Sequence, residues 1–482
     1  MKRIPDEREI AAPSHAAWRS ASLVVFVAGF AMRWAGLARF PFEQDELYTV
    51  QEAQELFATT LRPGIDARPI YYLLHNFLSP ILPAGEFGAR IPAFVLGIVG
   101  LVVTYRLGKH LAGEAGGFVA ISLCAVSPWH LFVSGEARYW SAIYLLAASM
   151  ILLLLKARES DGWMMHVSAG LCIVLGALTH PTFIFPAVGI AAALLIDPTE
   201  HGLRLRWPSR RSLLATWLPA AVLVGGYMLN LKFSGRGSTL SNWSGRGLTA
   251  SLRLLPAMVQ LATPVLVATA AVGLISALGS NKRAKQFALL GFGGLSSGTV
   301  LLLAASMRTD VYADYGVAML PLGIAAVTCA LLFPGMSRVG PLAIALVVVL
   351  VTATLPETIS QLSDGMRYDY RPALSRIATA PPAPSLVWPM TIQRYYAPNI
   401  EAVEFARRVP QLDSLAATSA RFWVVASENR LGLVSAPDRG VQEWLDQNCD
   451  TDMRTTGRRL DYRTYSVVLY ACEGASVERV AP

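Results

Sequence analysis

Charge is scarce in this chain of 482 residues. Only 15% of them are Asp, Glu, Lys or Arg while 54% are hydrophobic, and a mean hydropathy of +0.44 excludes an ordinary soluble domain. Cysteine is also sparse, and Cys124, Cys172 and Cys329 lie in apolar stretches at no metal-ligand spacing, so they read as small packing residues. No cluster of His, Asp and Glu has the spacing of a metal site, so no divalent metal is expected as a requirement and no cofactor is implied. A Gly-rich phosphate loop is missing, which argues against a nucleotide-bound substrate. Internal repeats are missing too, and acidic residues inside the apolar stretches are few, which counts against a translocation path.

What the chain does have is long apolar runs. They fall at 20–38, 89–108, 116–134, 137–155, 164–180, 182–196, 212–231, 254–278, 286–306, 313–333 and 340–356, which predicts an α-helical polytopic membrane protein with about 11 transmembrane helices. Arg33 interrupts the first run near its outer end, where a long side chain can snorkel to the interface. A cleaved signal peptide is the rival reading of this run, but no small-residue cleavage site follows its apolar core. The domains read as a cytoplasmic N-terminus over 1–19, a membrane domain over 20–356 and a soluble domain over 357–482.

Lys and Arg in the short loops set the orientation. With Lys2, Arg3, Arg8 and Arg19 inside, alternate loops also bring Arg106 and Lys109, Lys156 and Arg158, Arg204 to Arg211, Lys282 to Lys285, and Arg338 inside. An odd number of spans then turns the loop over 39–88 and the tail after Leu355 outward. The net charge of +8 is on this reading topology, not a nucleic-acid footprint.

The tail mixes polar helical stretches near Glu401 to Val409 and Gly440 to Gln447 with β-rich runs at Arg421 to Val425 and Tyr465 to Tyr470, which predicts a small α/β extracytoplasmic domain. Cys449 and Cys472 are the two cysteines outside the apolar runs, and an outward-facing domain meets oxidising conditions, so they are a disulfide candidate; two unrelated buried thiols are the alternative.

The outer loops hold the polar chemistry. The first carries Asp45-Glu46 and Arg68-Pro69-Ile70-Tyr71-Tyr72-Leu73-Leu74-His75, with Arg90 at the start of the second run, and its helical spacing predicts helices lying along the interface. The second is Ser134-Gly135-Glu136-Ala137-Arg138-Tyr139-Trp140, and the third is the break at Thr179-His180-Pro181. A carboxylate at the membrane surface is placed to act on a substrate whose other half is dissolved in lipid.

The Asp-Glu pair after the first span, Arg-Pro-Ile-Tyr-Tyr-Leu-Leu, Arg90-Ile91-Pro92 and Glu136-Ala137-Arg138-Tyr139 resemble the polytopic glycosyltransferases of the GT-C class, in the branch of the protein O-mannosyltransferases, aminoarabinose transferases and galacturonosyltransferase-type proteins. The resemblance covers roughly residues 20–200 in motif order and the rest in topology. It implies transfer of one sugar from a polyprenyl-phosphate donor, with inversion, at the outer face of a bacterial inner membrane. Asp45 would be the catalytic base and Glu46 would position it or bind acceptor. The acceptor would be an envelope glycolipid, a polysaccharide or a protein.

Arginine suits the departing phosphate, because it offers bidentate hydrogen bonds with a permanent charge. Arg90 matches the arginine that opens the family's second span, and Arg138 with Tyr139 follows, although Glu136 beside it offers a structural ion pair as a rival. Arg68 and Arg33 are further donors on the outer side, His180 could contact phosphate or substrate, and His75 and His130 are weaker candidates. Arg236, Arg246 and Arg308 read as interfacial snorkels. Related chains place an Arg-Tyr dipeptide before a late proline-containing span, whereas this one reads Asp310-Val311-Tyr312-Ala313-Asp314-Tyr315-Gly316 ahead of Pro321, which leaves the late donor contacts open. The alternatives are an O-antigen ligase or polymerase-like enzyme and a lipid-linked sugar transporter.

Overall fold

The computed structural model describes residues 14–54, 68–199, 202–233, 252, 254–307, 311, 313–330, 339–365, 367–429, 432–433, 440–458 and 464–474. Arg236, Arg246 and Arg308, and Asp310 and Tyr312 of the late motif, lie outside them.

Helix α1 (His15–Gly36) starts at Ser14, whose side chain accepts the Ala17 N–H. The loop over 39–88 supplies α2 (Gln44–Gln54) and α3 (Pro69–Leu78). Proline at the first position of α3 has no N–H to satisfy there. Helix α3 buries Tyr71, Tyr72 and His75 and leaves Leu73 and Phe77 exposed, an apolar outer face suited to the membrane interface. A long helix α4 (Glu86–Val126) bends at Ala112 and Gly113, where Gly113 takes a φ of +66° that side chains disfavour. Helices α5 (Pro128–Ser134), α6 (Trp140–Ser160), α7 (Trp163–Thr179) and α8 (Ile184–Leu194) follow. A short hairpin of β1 (Ile196–Thr199) and β2 (Gly202–Leu205) leads through a π-helical turn to α9 (Leu218–Phe233). Then come α10 (Leu254–Ala262), α11 (Pro264–Leu278), α12 (Lys282–Ser306), α13 (Leu320–Cys329) and α14 (Val339–Asp364).

Among the described residues the apolar runs are largely helical, but the expected count of eleven crossings is not reached by length. Six helices among the described residues are long and apolar enough to span a membrane, or seven if α10 and α11, bent by 87° at Thr263, form one span. The helices Trp163–Thr179, Pro181–Leu194 and Ala313–Cys329 are apolar but shorter. Hydropathy registers apolar residues and is blind to the breaks at Ala112-Gly113, His180 and Thr263 that divide or shorten helices. The core sits around α6, where Ile143, Tyr144 and Ala148 pack with Leu101, Val119, Ile190, Phe287, Leu322 and Val327.

Arg33 corrects an expectation. It does not snorkel: it is 2% exposed and donates to the carbonyls of Cys124 and Ala125 at 2.9 and 3.0 Å, and contacts His130 Nδ1 at 2.8 Å. Those carbonyls close the C-terminal end of α4, where they lack helical partners and a cation is favoured. Arg33 thereby fixes α1 to the bundle.

After α14 the chain turns at Gly365, whose φ of +69° excludes most side chains and whose added Cβ would meet Phe40 at 2.5 Å. It then forms an α/β unit with helices α15 (Arg371–Thr379), α16 (Met390–Tyr396), α17 (Val409–Thr418) and α18 (Gly440–Asn448), and strands β3 (Ser385–Val387), β4 (Ala402–Glu404), β5 (Arg421–Asn429), β6 (Gly432–Leu433), β7 (Cys449–Arg458) and β8 (Thr464–Glu473). The sheet order is β4-β3-β5-β8-β7, with β6 paired to β5; β3 is parallel to β4 and β5, and the rest is antiparallel. One face, with Phe422, Val424, Val468 and Tyr470, packs against Leu412 of α17 and Leu445 of α18. The other, with Val387, Trp423, Val425 and Leu469, shares a core with Phe42 and Leu47 of the loop over 39–88. Cys449 and Cys472 oppose each other on β7 and β8 and are disulfide-bonded.

Candidate functional site

The site begins with the first turn of α2. Glu46 Oε2 accepts the Glu43 N–H at 3.0 Å, as in a capping box, and both Asp45 and Glu46 sit where the helix dipole favours negative charge. Neighbouring helical residues point about 100° apart, so the two carboxylates face different surroundings.

Glu46 points inward and is fully buried. Its Oε1 accepts from Arg90 Nε at 2.9 Å and from the Ala137 N–H at 2.7 Å, and its Oε2 accepts from Arg90 Nη2 at 2.9 Å and from Arg367 Nη1. Burial alone would raise its pKa, yet Arg367 and Arg90 hold it down to about 2. The expectation that Glu46 positions the base or meets acceptor therefore narrows to positioning, because no part of it reaches solvent.

Arg90 departs further from its expected role. Besides Glu46, its Nη1 donates to the carbonyls of Leu37 and Phe40 and its Nη2 to that of Pro41, at 2.8–2.9 Å. All five guanidinium N–H groups are thus engaged, and the side chain is 0% exposed. An arginine so placed joins α4 to the exit of α1 and has no donor left for a lipid phosphate.

Asp45 turns outward, 64% exposed at the side chain, and pairs with Arg138 Nη1. Arg138 Nη2 donates to the Tyr139 hydroxyl at 2.8 Å, and its guanidinium lies 5.0 Å from the centroid of the Tyr139 ring and 5.8 Å from that of Trp140. Arg68 lies over the same Tyr139 ring at 4.9 Å. His180 stacks on Tyr139 at 5.0 Å and meets Trp140 and Tyr315 at 5.2 and 5.0 Å. Its Nδ1 is engaged by Thr182 Oγ1 at 2.7 Å. The result is an exposed carboxylate paired with Arg138, with Arg68 on the same aromatic wall.

The rival pairing of Glu136 with Arg138 gives way to Asp45. Burial, helped by Glu43 and Glu46, pushes Glu136 up to about 8 against the pull of Arg138 and Arg367, and its Oε2 has no hydrogen-bond partner. His75 contacts the Ala89 carbonyl at 3.3 Å, and His130 is held between Arg33 and Ser134; both are buried.

Of the residues expected from sequence, the structure thus gathers Asp45, Arg138, Tyr139, Arg68 and His180 at one place, and sets Glu46 and Arg90 beneath them. Sequence reasoning missed Tyr315 and Arg367. Tyr315 sits inside the departing late motif, a weak signal. Arg367 follows the last apolar run and reaches Glu46 across 321 positions, and nothing local marks it.

The family model for dolichyl-phosphate-mannose-protein mannosyltransferase matches residues 66–226, a stretch that holds Arg68, Arg90, Arg138, Tyr139 and His180 and begins after Asp45. No curated protein matches by sequence. ArnT from Cupriavidus metallidurans in the apo state is similar with a TM-score of 0.52 and 13% identity over 94% of this chain and 98% of that one. The same enzyme bound to undecaprenyl phosphate gives 0.50 and 13% over 93% and 97%. The archaeal oligosaccharyltransferase AglB from Archaeoglobus fulgidus, in complex with an inhibitory peptide and a dolichol-phosphate, gives 0.50 and 11% over 84% and 69%. At these identities the likeness is one of fold. Matched region and fold together are those of polytopic membrane glycosyltransferases of the GT-C class.

Proposed function

We propose that the protein moves a single sugar from a polyprenyl-phosphate donor to an acceptor at the outer face of a bacterial inner membrane, with inversion and with Asp45 as base. The observation that carries this reading is the exposed Asp45 carboxylate paired to Arg138 on the aromatic wall of Tyr139, His180 and Tyr315. ArnT bound to undecaprenyl phosphate and AglB with dolichol-phosphate support the donor class. The core that the C-terminal α/β unit shares with Phe42 and Leu47, next to Asp45, supports placing that unit and the site together on the outer side.

In the reaction Asp45 accepts the proton of the acceptor hydroxyl as its oxygen attacks the anomeric carbon. The bond from that carbon to the phosphate oxygen breaks on the opposite face, and the lipid phosphate leaves with the electron pair. An alcohol is a weak nucleophile, and a positioned carboxylate contributes typically about 10²–10⁴-fold. Arg138, itself buried, and Arg68 compensate the growing phosphate charge, and burial strengthens such donors. Charge compensation rests with these arginines and no divalent metal is invoked. The acceptor is an envelope glycolipid, a polysaccharide or a protein, met at the junction with the C-terminal unit.

The test is single-turnover transfer in proteoliposomes supplied with radiolabelled polyprenyl-phosphate sugars and an envelope extract. Wild type yields labelled product, and Asp45→Asn loses it by about 10²-fold or more with an unchanged unfolding temperature. Equal product from both would remove Asp45 from the chemistry, and lipid-linked sugar crossing the bilayer unaltered would make the protein a transporter.

A further inference from the structure

We propose that Arg367 is a positioning residue for sugar transfer, holding the loop that carries Arg138 against the helix that carries Asp45. The inference rests on the functional reading above. Arg367 lies two residues past the Gly365 turn, with its side chain 1% exposed. Its Nη1 meets Glu46, and its Nη2 donates to the Gly135 carbonyl at 2.9 Å. Its guanidinium covers the Phe132 ring at 5.6 Å, and its Nε is buried without a hydrogen-bond partner. Glu46 in turn takes the Ala137 N–H at 2.7 Å. The Arg367–Glu46 pair therefore grips both ends of the segment Gly135-Glu136-Ala137, and the chain turns tightly at Ala137, where the Arg138 N–H donates to the Glu136 carbonyl at 2.6 Å.

Asp45 and Arg138 are the next residues along their respective segments. A shift of either segment moves them relative to each other, and misplacing reacting groups by about 1 Å can cost about 10²-fold. Arg367 also opens the segment that enters the C-terminal unit: Tyr370 packs into the shared core, and the Asp369 carbonyl accepts from Thr455 Oγ1 at 3.2 Å. A displacement of that unit is thus felt at the Asp45–Arg138 pair. Arg367 is not itself placed to touch substrate, so it acts through Glu46 and Gly135.

The experiment compares wild type, Asp45→Asn, Arg367→Met, Arg367→Lys and the neighbouring control Arg371→Gln in reconstituted transfer, with amide hydrogen exchange read at Ala137. Arg367→Met is expected to lower kcat by about 10²-fold with the donor KM unchanged and with faster exchange at Ala137, and Arg371→Gln to keep wild-type kcat. Lysine restores the charge opposite Glu46 but lacks the fork that also reaches Gly135, so it recovers kcat partly and serves as the folded variant if methionine prevents folding. Wild-type kcat and unaltered Ala137 protection in Arg367→Lys and in any folded Arg367→Met would overturn the proposal while leaving the functional reading intact. Full activity in Asp45→Asn would instead sink that reading, and this one with it.

Discussion

Asp45 and Glu46 are chemically alike and adjacent, yet their side chains differ from 64% to 0% exposure. One faces water and pairs with Arg138, while the other is enclosed by Arg90, Arg367 and two backbone N–H groups. The difference shows how adjacent carboxylates on one helical turn can meet opposite surroundings. On the proposed mechanism the carboxylate that exchanges protons stays solvated, and its neighbour is buried, charged and fully satisfied. A buried ion pair is weak evidence for stability in itself, but removing one partner leaves an uncompensated charge in a low dielectric.

The comparison breaks first at Arg90. Arg90→Ala strips Glu46 of two hydrogen bonds and frees the carbonyls of Leu37, Phe40 and Pro41, and losing one partner of a buried pair costs roughly 3–5 kcal/mol. The expected outcome is a large fall in the yield of monodisperse protein and in its unfolding temperature, followed by size exclusion and thermal unfolding in detergent. A variant that folds normally but has lost donor affinity would return Arg90 to the phosphate-binding role that its position in sequence proposed.

Arg138 sharpens the other side of the comparison. Arg138→Gln keeps a donor near Tyr139 but removes the charge beside Asp45, so kcat is expected to fall by about 10²-fold, with a much smaller change in unfolding temperature than Arg90→Ala gives. Steady-state transfer and thermal unfolding on the same preparations check it. Equal loss of stability in both variants would erase the distinction between a working pair and a structural one.

Much of this division was hidden from the sequence for physical reasons. Apolar runs mark where helices lie, since a spanning segment must satisfy its own backbone, and their positions were legible from Ser20 to Leu355. Their breaks were not, because His180, Thr263 and Gly113 interrupt helices without interrupting hydropathy. The outer-loop motifs located Asp45, Arg138, Tyr139, Arg68 and His180. They could not separate an arginine aimed at substrate from one whose donors are all taken, as in Arg90, or from one closing a helix end, as in Arg33. That distinction depends on burial and on carbonyls contributed by other segments. Arg367 illustrates the limit: its partner is set by tertiary folding, and no spacing rule connects the two.

The smallest effect separates the pairs by pH. Glu136 lies between them, facing Arg138 on its own loop, Glu43 and Glu46 from α2 and its entry, and Arg367 from the segment after α14. Its folded value of about 8 exceeds its ordinary range because burial favours the neutral acid. The folded state therefore binds this proton more tightly than the unfolded chain. The associated stability is complete below the ordinary carboxylate range and is lost as pH rises through about 8. Glu46 has the opposite sign: held near 2, it contributes stability above the ordinary range that is lost only as pH falls toward 2. Raising pH from 5 to 9 should thus lower the unfolding temperature through Glu136 and leave the Glu46 contribution untouched. Glu136→Gln is neutral throughout, so its unfolding temperature should fall less than that of wild type over that interval while its activity at pH 7 is retained. Identical pH dependence in the two proteins would mean that Glu136 is already ionised beside Arg138, and that the exposed pair is a triad and not a pair.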